Sequence, residues 1–352
     1  MTRVITVDYE NPQPDLIALA AHEILNGKLV AFPTETVYGL GANALEASAV
    51  ARIFEVKGRP VEDPLIVHLA STADLPIVAC QVPSIAYTLA QVFWPGPLTL
   101  VLPKQDIVPM LVTAGHETVA VRIPCHPVAL ALMRACGVPI AAPSANRFGR
   151  TSPTTAWHVL DDLGGKIDLI LDAGPTTVGV ESTVLDVTQT PPVILRPGGV
   201  TREALEALLG PVAVHGEKTV KIMTKKTALP SPGMLDKHYA PLAKLILFMI
   251  SDTHKCLDVM AKSARQELAK GIKVGLLLAD EDRRFFNDLP VSITTIGSLT
   301  DREEIARNLF DGLRRLDGLK VEVILARDFG EAGLGLAIRD RLRRAASRVI
   351  TE

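Results

Sequence analysis

Aromatic residues are scarce, at 4% of the 352-residue chain. Proteins that hold single-stranded nucleic acid stack its bases on aromatic rings, so this composition argues against such a platform. Net charge is nearly absent too, at a formal −2, which removes any global electrostatic draw to nucleic acid or to an anionic membrane. The 4 cysteines, Cys80, Cys125, Cys136 and Cys256, contain no CxxC pair; a zinc site is therefore not expected, and free thiols in a reducing compartment are. The histidines at 22, 68, 116, 126, 158 and 238 show no HxxxH spacing, so no metal is assigned to protein side chains, and a divalent cation, Mg²⁺, would arrive on phosphates. No apolar signal core opens the chain and no run reaches membrane-spanning length, which predicts a cytoplasmic protein with no membrane contact. Also missing are a GxxxxGK[ST] phosphate loop, a kinase motif set and a GxSxG elbow; Gly333-Leu334-Gly335 is a lone GxG with no strand–turn–helix context.

What is present is an ordinary globular composition, 48% hydrophobic and 22% charged, in a chain long enough for two domains. Short β-branched runs alternate with segments of helical period. Strands are predicted at 3–7, 29–32, 64–69, 98–102, 118–123, 139–142, 167–172, 182–187 and 193–195. Helices are predicted after Asp15, which is expected to cap, and at 47–56, 85–93, 127–136 and 202–209. Residues 211–241 then lose all apolar period and read as a linker, too long for an ordinary connection. Beyond it, strands at 244–250, 273–279, 291–296 and 321–326 alternate with helices at 253–269, 301–316 and 336–348, the pattern of a parallel α/β layer domain.

The most informative stretch is Lys57-Gly-Arg-Pro-Val-Glu-Asp-Pro-Leu-Ile-Val-His68. Two cations stand at a helix end that Gly58 and Pro60 terminate, just before an apolar strand that contains His68. This suits either a solvated basic helix terminus or an anion receptor, with lysine as a point charge and arginine as a planar fork. Arg122 lies among apolar residues in a strand, and a buried arginine must be paired: either a structural ion pair or a fixed anion site. Hydroxyls recur at strand ends, at Thr34, Thr36, Ser144, Ser152, Ser182 and Thr183. Asn146 to Pro153 forms a basic, glycine-bearing loop suited to phosphate contact. Together these resemble a polar, cationic pocket for phosphates and a small carboxylate.

Six ordered segments carry a family resemblance: PTETVYGL (33–40), KGRPVEDPLIVH (57–68), FWPGPLTLVL (93–102), VAVRIP (119–124), APSANRFGRTSPT (142–154), and ESTVLD with ILRPGG (181–186, 194–199). They resemble the YrdC/Sua5 family, and SPGM with HYAP (231–241) and GLGLAIRDRLRRAASR (333–348) resemble its longer Sua5 subtype. The resemblance implies α/β architecture throughout. Residues 1–210 would be a YrdC-like twisted open α/β sheet domain with a cationic cavity, 211–241 a linker acting as an active-site lid, and 242–352 a Rossmann-like parallel α/β Sua5 domain. It implies synthesis of L-threonylcarbamoyladenylate and pyrophosphate from L-threonine, bicarbonate or CO2, and ATP. A downstream threonylcarbamoyl transferase would then modify N6 of adenosine 37 in tRNAs reading ANN codons. The implied threonine-side residues are Thr36, His68, Arg122, Ala142 and Ser182. The implied ATP-side residues are Arg59, Asp63, Thr118, Ser144, Ser152, Arg196 and Tyr239, with Lys57, Arg59 and Ser144 serving the chemistry. Asp63 departs from the asparagine common in the family, and an anion beside ATP needs a donor or Mg²⁺ as partner. The alternative reading is a double-stranded RNA-binding protein with a concave basic surface at Lys57, Arg59 and Arg147, or a weak RNA contact of that kind.

Overall fold

The computed structural model describes residues 1–216, 231, 233 and 237–351. The chain forms two units, one of residues 1–148 and 152–234, the other of residues 149–151 and 235–352. Among the described residues no helix is long and apolar enough to cross a membrane.

The first unit runs β1 (Arg3–Thr6), α1 (Pro14–Leu25), β2 (Val30–Phe32), β3 (Gly39–Asn43), α2 (Ala47–Lys57), β4 (Ile66–His68), α3 (Leu75–Val78), α4 (Ser84–Phe93), β5 (Leu98–Pro103), β6 (Thr118–Arg122), α5 (Pro127–Cys136), β7 (Ile140–Ala141), α6 (Ala156–Leu163), β8 (Leu169–Asp172), β9 (Thr183–Asp186), β10 (Val193–Arg196), α7 (Arg202–Leu209) and β11 (Ala213–Val214). Its strands join in one mixed sheet, ordered β1-β8-β2-β3-β7-β4-β6-β5-β9-β10-β11. Successive strand residues point to opposite faces, and the core divides accordingly. Val30 and Phe32 of β2 pack with α1 and α5, while Ala31 between them packs with the cluster that holds α2, α4, α6 and α7. Apolar side chains on both faces are why these strands read as continuous hydrophobic runs.

The second unit runs β12 (Lys244–Met249), α8 (Thr253–Ala269), β13 (Val274–Leu278), β14 (Ser292–Thr295), α9 (Arg302–Gly318), β15 (Val323–Arg327), α10 (Gly335–Ala345) and β16 (Arg348–Thr351). Its five strands, ordered β14-β13-β15-β12-β16, are all parallel. Asp252 and Asp301 cap α8 and α9, accepting from the Lys255 and Glu304 amides, which accounts for their sharp starts.

Two expectations need correction, those for Asp15 and for the final helix. Helix α1 begins at Pro14 with Gln13 as its N-cap, so Asp15 lies in the first turn and does not cap; proline at the first helical position pre-sets the entry. Gly39–Asn43 is a strand although its sequence has little β propensity. Pairing with β2 on one side and β7 on the other overrides that preference. The final helix stops at Ala345, and Arg348–Thr351 turns back into a strand beside β12. Residues 149–151 group with the second unit and not with their sequence neighbours. The linker expectation falls largely on 217–230, 232 and 234–236, outside the described residues.

Candidate active site

The parallel pair β4 and β6 organises the site, because its register places Ile66 beside Ala120 and His68 beside Arg122. Thr118 and Arg122 stand at opposite ends of β6, about 13 Å apart at the usual rise per residue. The Arg59–Asp63 pair precedes β4, and Arg122 ends β6.

At the end that β4 enters, Gly58 caps α2 in the left-handed conformation (φ 63°) and turns the chain so that Arg59 folds inward. The Arg59 guanidinium donates to the carbonyls of Asp63 (3.0 Å) and Pro64 (2.7 Å) and pairs with the Asp63 carboxylate at 3.0 Å. Asp63 is fully buried; burial pushes its carboxyl up, against the pull of Arg59 and, more weakly, of Lys57 and Arg196. The partners that an anion requires here are therefore Arg59 and the Gly233 backbone. Lys57 is buried and donates to the carbonyls of Ser144 (2.6 Å) and Asn146 (2.5 Å). Burial first, and the Arg59 charge second, hold its ammonium well below the usual lysine range. Lys57 thus ties down the loop after β7, and the Phe148 amide bonds back to the Lys57 carbonyl at 2.9 Å.

At the far end of β6, Arg122 is 3% exposed and makes three bonds: Nε to the Gly96 carbonyl (3.2 Å), Nη1 to Thr36 Oγ1 (2.9 Å) and Nη2 to Glu35 Oε1 (2.5 Å). The ion-pair half of the earlier alternative holds, with Glu35 as the partner. His68 on the neighbouring strand is buried, its Nδ1 3.2 Å from the Ile66 carbonyl. Thr99 pairs in register with Arg122 and shares a 2.8 Å hydrogen bond with Ser182. Arg196 donates to the Ser182 carbonyl (2.9 Å) and hydroxyl (3.1 Å). Ser182 therefore connects the Arg122 end to Arg196, whose charge reaches Asp63.

The loop after β7 is held from several sides. The Ala142 amide bonds the Ile66 carbonyl, Leu40 bonds Pro143, and Ala145 bonds Tyr38. Ser144 is bridged to Gly39. Further on, Ser152 donates to Glu181. Gly198 lies directly on this strand start: a Cβ there would fall 2.3 Å from the Glu181 carbonyl oxygen and 2.4 Å from the Thr183 nitrogen. Neither backbone atom can yield, so Gly198→Ala should cost about 1–3 kcal/mol or more and lower activity, checked by urea unfolding and turnover; unchanged stability would contradict this packing.

A family model described as Telomere recombination, for Sua5/YciO/YrdC proteins, matches residues 22–198. One described as Threonylcarbamoyl-AMP synthase, C-terminal domain, matches 200–347. The chain is 47% identical over 353 residues to the threonylcarbamoyl-AMP synthase of Pyrococcus abyssi, covering 98% of each chain. It is 46% identical to that of Bacillus subtilis, covering 95% of this chain and 94% of the other. The chain belongs to the YrdC/Sua5 family. The crystal structure of P. abyssi Sua5 complexed with L-threonine matches with a TM-score of 0.92 at 45% identity, covering all of both chains. Both the large sheet and the parallel C-terminal sheet are thus those of the two-domain Sua5 type.

In this Sua5-type chain the sequence motifs pointed to cations and hydroxyls but passed over two carboxylates. Glu35 and Glu181 are 3% and 6% exposed, and their bonds to Arg122 and Ser152 span 87 and 29 residues. The available signal was an acidic residue between small hydroxyls, Thr34-Glu35-Thr36, next to a buried strand. Tyr239 lies in the second unit, its ring 5.7 Å from that of Phe310 and 5.0 Å from the Arg341 guanidinium carbon.

Burial lowers His68 to about 3, with the Arg122 charge adding to the effect, and burial lowers His126 to about 4. Both are neutral in the folded Sua5-type protein where the unfolded chain would take a proton. Below about pH 6.5 the unfolded state therefore binds more protons, and stability falls with pH by about 1.4 kcal/mol per unit for each histidine inside that window. Unfolding free energies between pH 7 and 4.5 should show a slope smaller by about that amount in His68→Gln; equal slopes would refute the buried neutral imidazole.

Proposed function

We propose that Arg122 receives L-threonine and that Arg59 and Arg196 receive the phosphates of ATP. The protein is an L-threonylcarbamoyladenylate synthase acting in formation of the threonylcarbamoyl modification of tRNA. Arg122, Thr36, His68, Ser182 and the backbone at Ala142 position the amino acid. Arg59, Arg196, Thr118, Ser144 and Ser152 line the nucleotide, Asp63 fixes Arg59, and Lys57 acts by holding Ser144 and Asn146 in place. The ammonium of threonine loses a proton to solvent, and the free amine attacks CO2 derived from bicarbonate and loses a second proton to give a carbamate. A carbamate oxygen then attacks the α-phosphorus and pyrophosphate leaves. Such a reaction is served by positioning and by fixed positive charge around the transferring phosphoryl group. Among the described residues no group of three or more carboxylates, histidines or cysteines forms a metal cage; Mg²⁺ enters as part of the nucleotide substrate.

The observation that carries this reading is a set of buried arginines, Arg122 and Arg196 meeting through Thr99 and Ser182 and Arg196 acting on the Arg59–Asp63 pair, in a chain similar end to end to threonylcarbamoyl-AMP synthases. Its product is a labile mixed anhydride, so the next enzyme must be an acyl transferase that moves the threonylcarbamoyl group to adenosine 37. The free thiols of the cysteines accord with a cytoplasmic site for both steps. The test is pyrophosphate release from ATP and bicarbonate with each amino acid in turn. Threonine should support it well above the others, and release independent of the amino acid would refute the reading. The RNA-binding alternative needs Lys57 and Arg59 at the surface, yet they are 4% and 7% exposed and bonded to backbone carbonyls.

A further inference from the structure

Glu35 is the buried carboxylate whose second oxygen the fold leaves without use. Oε1 takes Arg122 Nη2, whereas Oε2 is buried with no partner at hydrogen-bond geometry among the described residues, and only the weak donor of the Cys125 thiol leans on the same carboxylate. A buried carboxylate oxygen without a donor is costly to keep. Beyond Arg122, the titratable neighbours Cys125 and His126 supply it no positive charge. The Cys125 thiol, a weak donor, is pushed up to about 12, by burial first and the Glu35 charge second; the His126 ring is lowered to about 4 by burial, against Glu35. The residue is also pinned by its backbone, since its carbonyl accepts from Val178 (2.8 Å) and Thr177 (3.2 Å). Its side chain is held in place by the bond to Arg122.

Beside it, Arg122 spends three of the five donors of a guanidinium within the protein. One N–H remains on each Nη, suited to a carboxylate. Arg122 and Glu35 thus present adjacent, opposite charges, each with bonding capacity left over. A bare anion meets a site already neutralised by Glu35. An α-amino acid, whose ammonium and carboxylate share one carbon, matches both halves at once.

We propose that Glu35 Oε2 is the receptor for the α-ammonium of the amino-acid substrate, so that Glu35 sets selectivity for amino acids over other small carboxylates. This rests on the reading that Arg122 binds the substrate carboxylate. It adds to that reading a charge-matched pair in which removal of Glu35 has opposite consequences for ligands with and without an amine. Glutamine at position 35 keeps an oxygen for Arg122 but turns the second position into a donor facing the ammonium.

The test is calorimetric binding of L-threonine and of 3-hydroxybutanoate, which lacks the amine, to the full chain and to Glu35→Gln. Threonine affinity should fall ~10–100-fold in the variant, the worth of a hydrogen bond to a charged group, while 3-hydroxybutanoate binds within about twofold of wild type or tighter. Parallel loss of both ligands would overturn the proposal, because Glu35 would then only prop Arg122. No change in either would overturn it as well. Arg122→Ala separates the two levels: threonine binding unchanged in that variant refutes the carboxylate site and this proposal together, whereas binding lost there with parallel ligand behaviour in Glu35→Gln refutes only the role of Glu35. If Glu35→Gln does not fold, the wild-type chain still decides: N-acetylthreonine, which has no ammonium, should bind at least ~10-fold more weakly than threonine methylated on nitrogen, which keeps one, and equal affinities would overturn the assignment.

Discussion

Arg122→Ala is expected to lower threonine-dependent pyrophosphate release by roughly a thousandfold or more, since a charge-assisted, two-pronged contact and its positioning are both lost. The same change strands the Glu35 carboxylate, 3% exposed, without its 2.5 Å partner, and breaking one side of a buried pair costs about 3–5 kcal/mol. Activity and stability therefore fall together in the single variant. The double variant Arg122→Gln/Glu35→Gln removes both charges and should recover most of the stability with none of the activity. Turnover near wild type in the stable double variant would show that Arg122 is a structural strut. Arg122→Lys is a further comparison: a point charge cannot span Gly96, Thr36 and Glu35 while keeping two donors for a ligand.

Lys57→Met should raise KM for ATP at least ~10-fold and cost about 1–3 kcal/mol in stability, while KM for threonine changes less. The ammonium of Lys57 is the donor for two carbonyls, at Ser144 and Asn146, and methionine fills similar space without replacing either bond. The loop that carries Ser144 then loses its tie from beneath but keeps its strand-side contacts to Tyr38, Leu40 and Ile66. Steady-state kinetics with each substrate varied separately gives the answer. An unchanged KM for ATP would mean that this loop does not meet the nucleotide.

How much of this was legible in the sequence depended on how local the determinant was. Helices α7 and α8 were readable to their ends, because Thr201 and Asp252 cap them through their own side chains and the apolar period fills the interior. The parallel C-terminal layer was readable from alternation alone. Strand β3 was not, because Gly39-Leu-Gly-Ala-Asn43 becomes a strand only through two neighbours supplied from elsewhere in the chain. Helix α6, capped by Thr155 and ended at Gly164, was hidden behind the hydroxyl-rich Ser152-Pro-Thr-Thr155 run, which reads as loop. The motifs named the cations and hydroxyls of the site and Asp63, but not Glu35 and Glu181. A glutamate between two threonines looks like a turn residue until Arg122 is seen to meet it. Likewise the buried state of Lys57 follows from carbonyls 87 and 89 residues away, which no local pattern reports.

The central claim is that one site joins threonine, a one-carbon unit from bicarbonate and the adenylyl group of ATP. It is tested most directly by incubating the purified chain with L-threonine, ATP and ¹³C-bicarbonate, and identifying the adenylate by mass spectrometry. Threonylcarbamoyl-adenylate should form with the label in its carbamoyl carbon and one pyrophosphate released per adenylate. An unlabelled threonyl-adenylate, or ATP turnover with no threonine-containing adenylate, would contradict it.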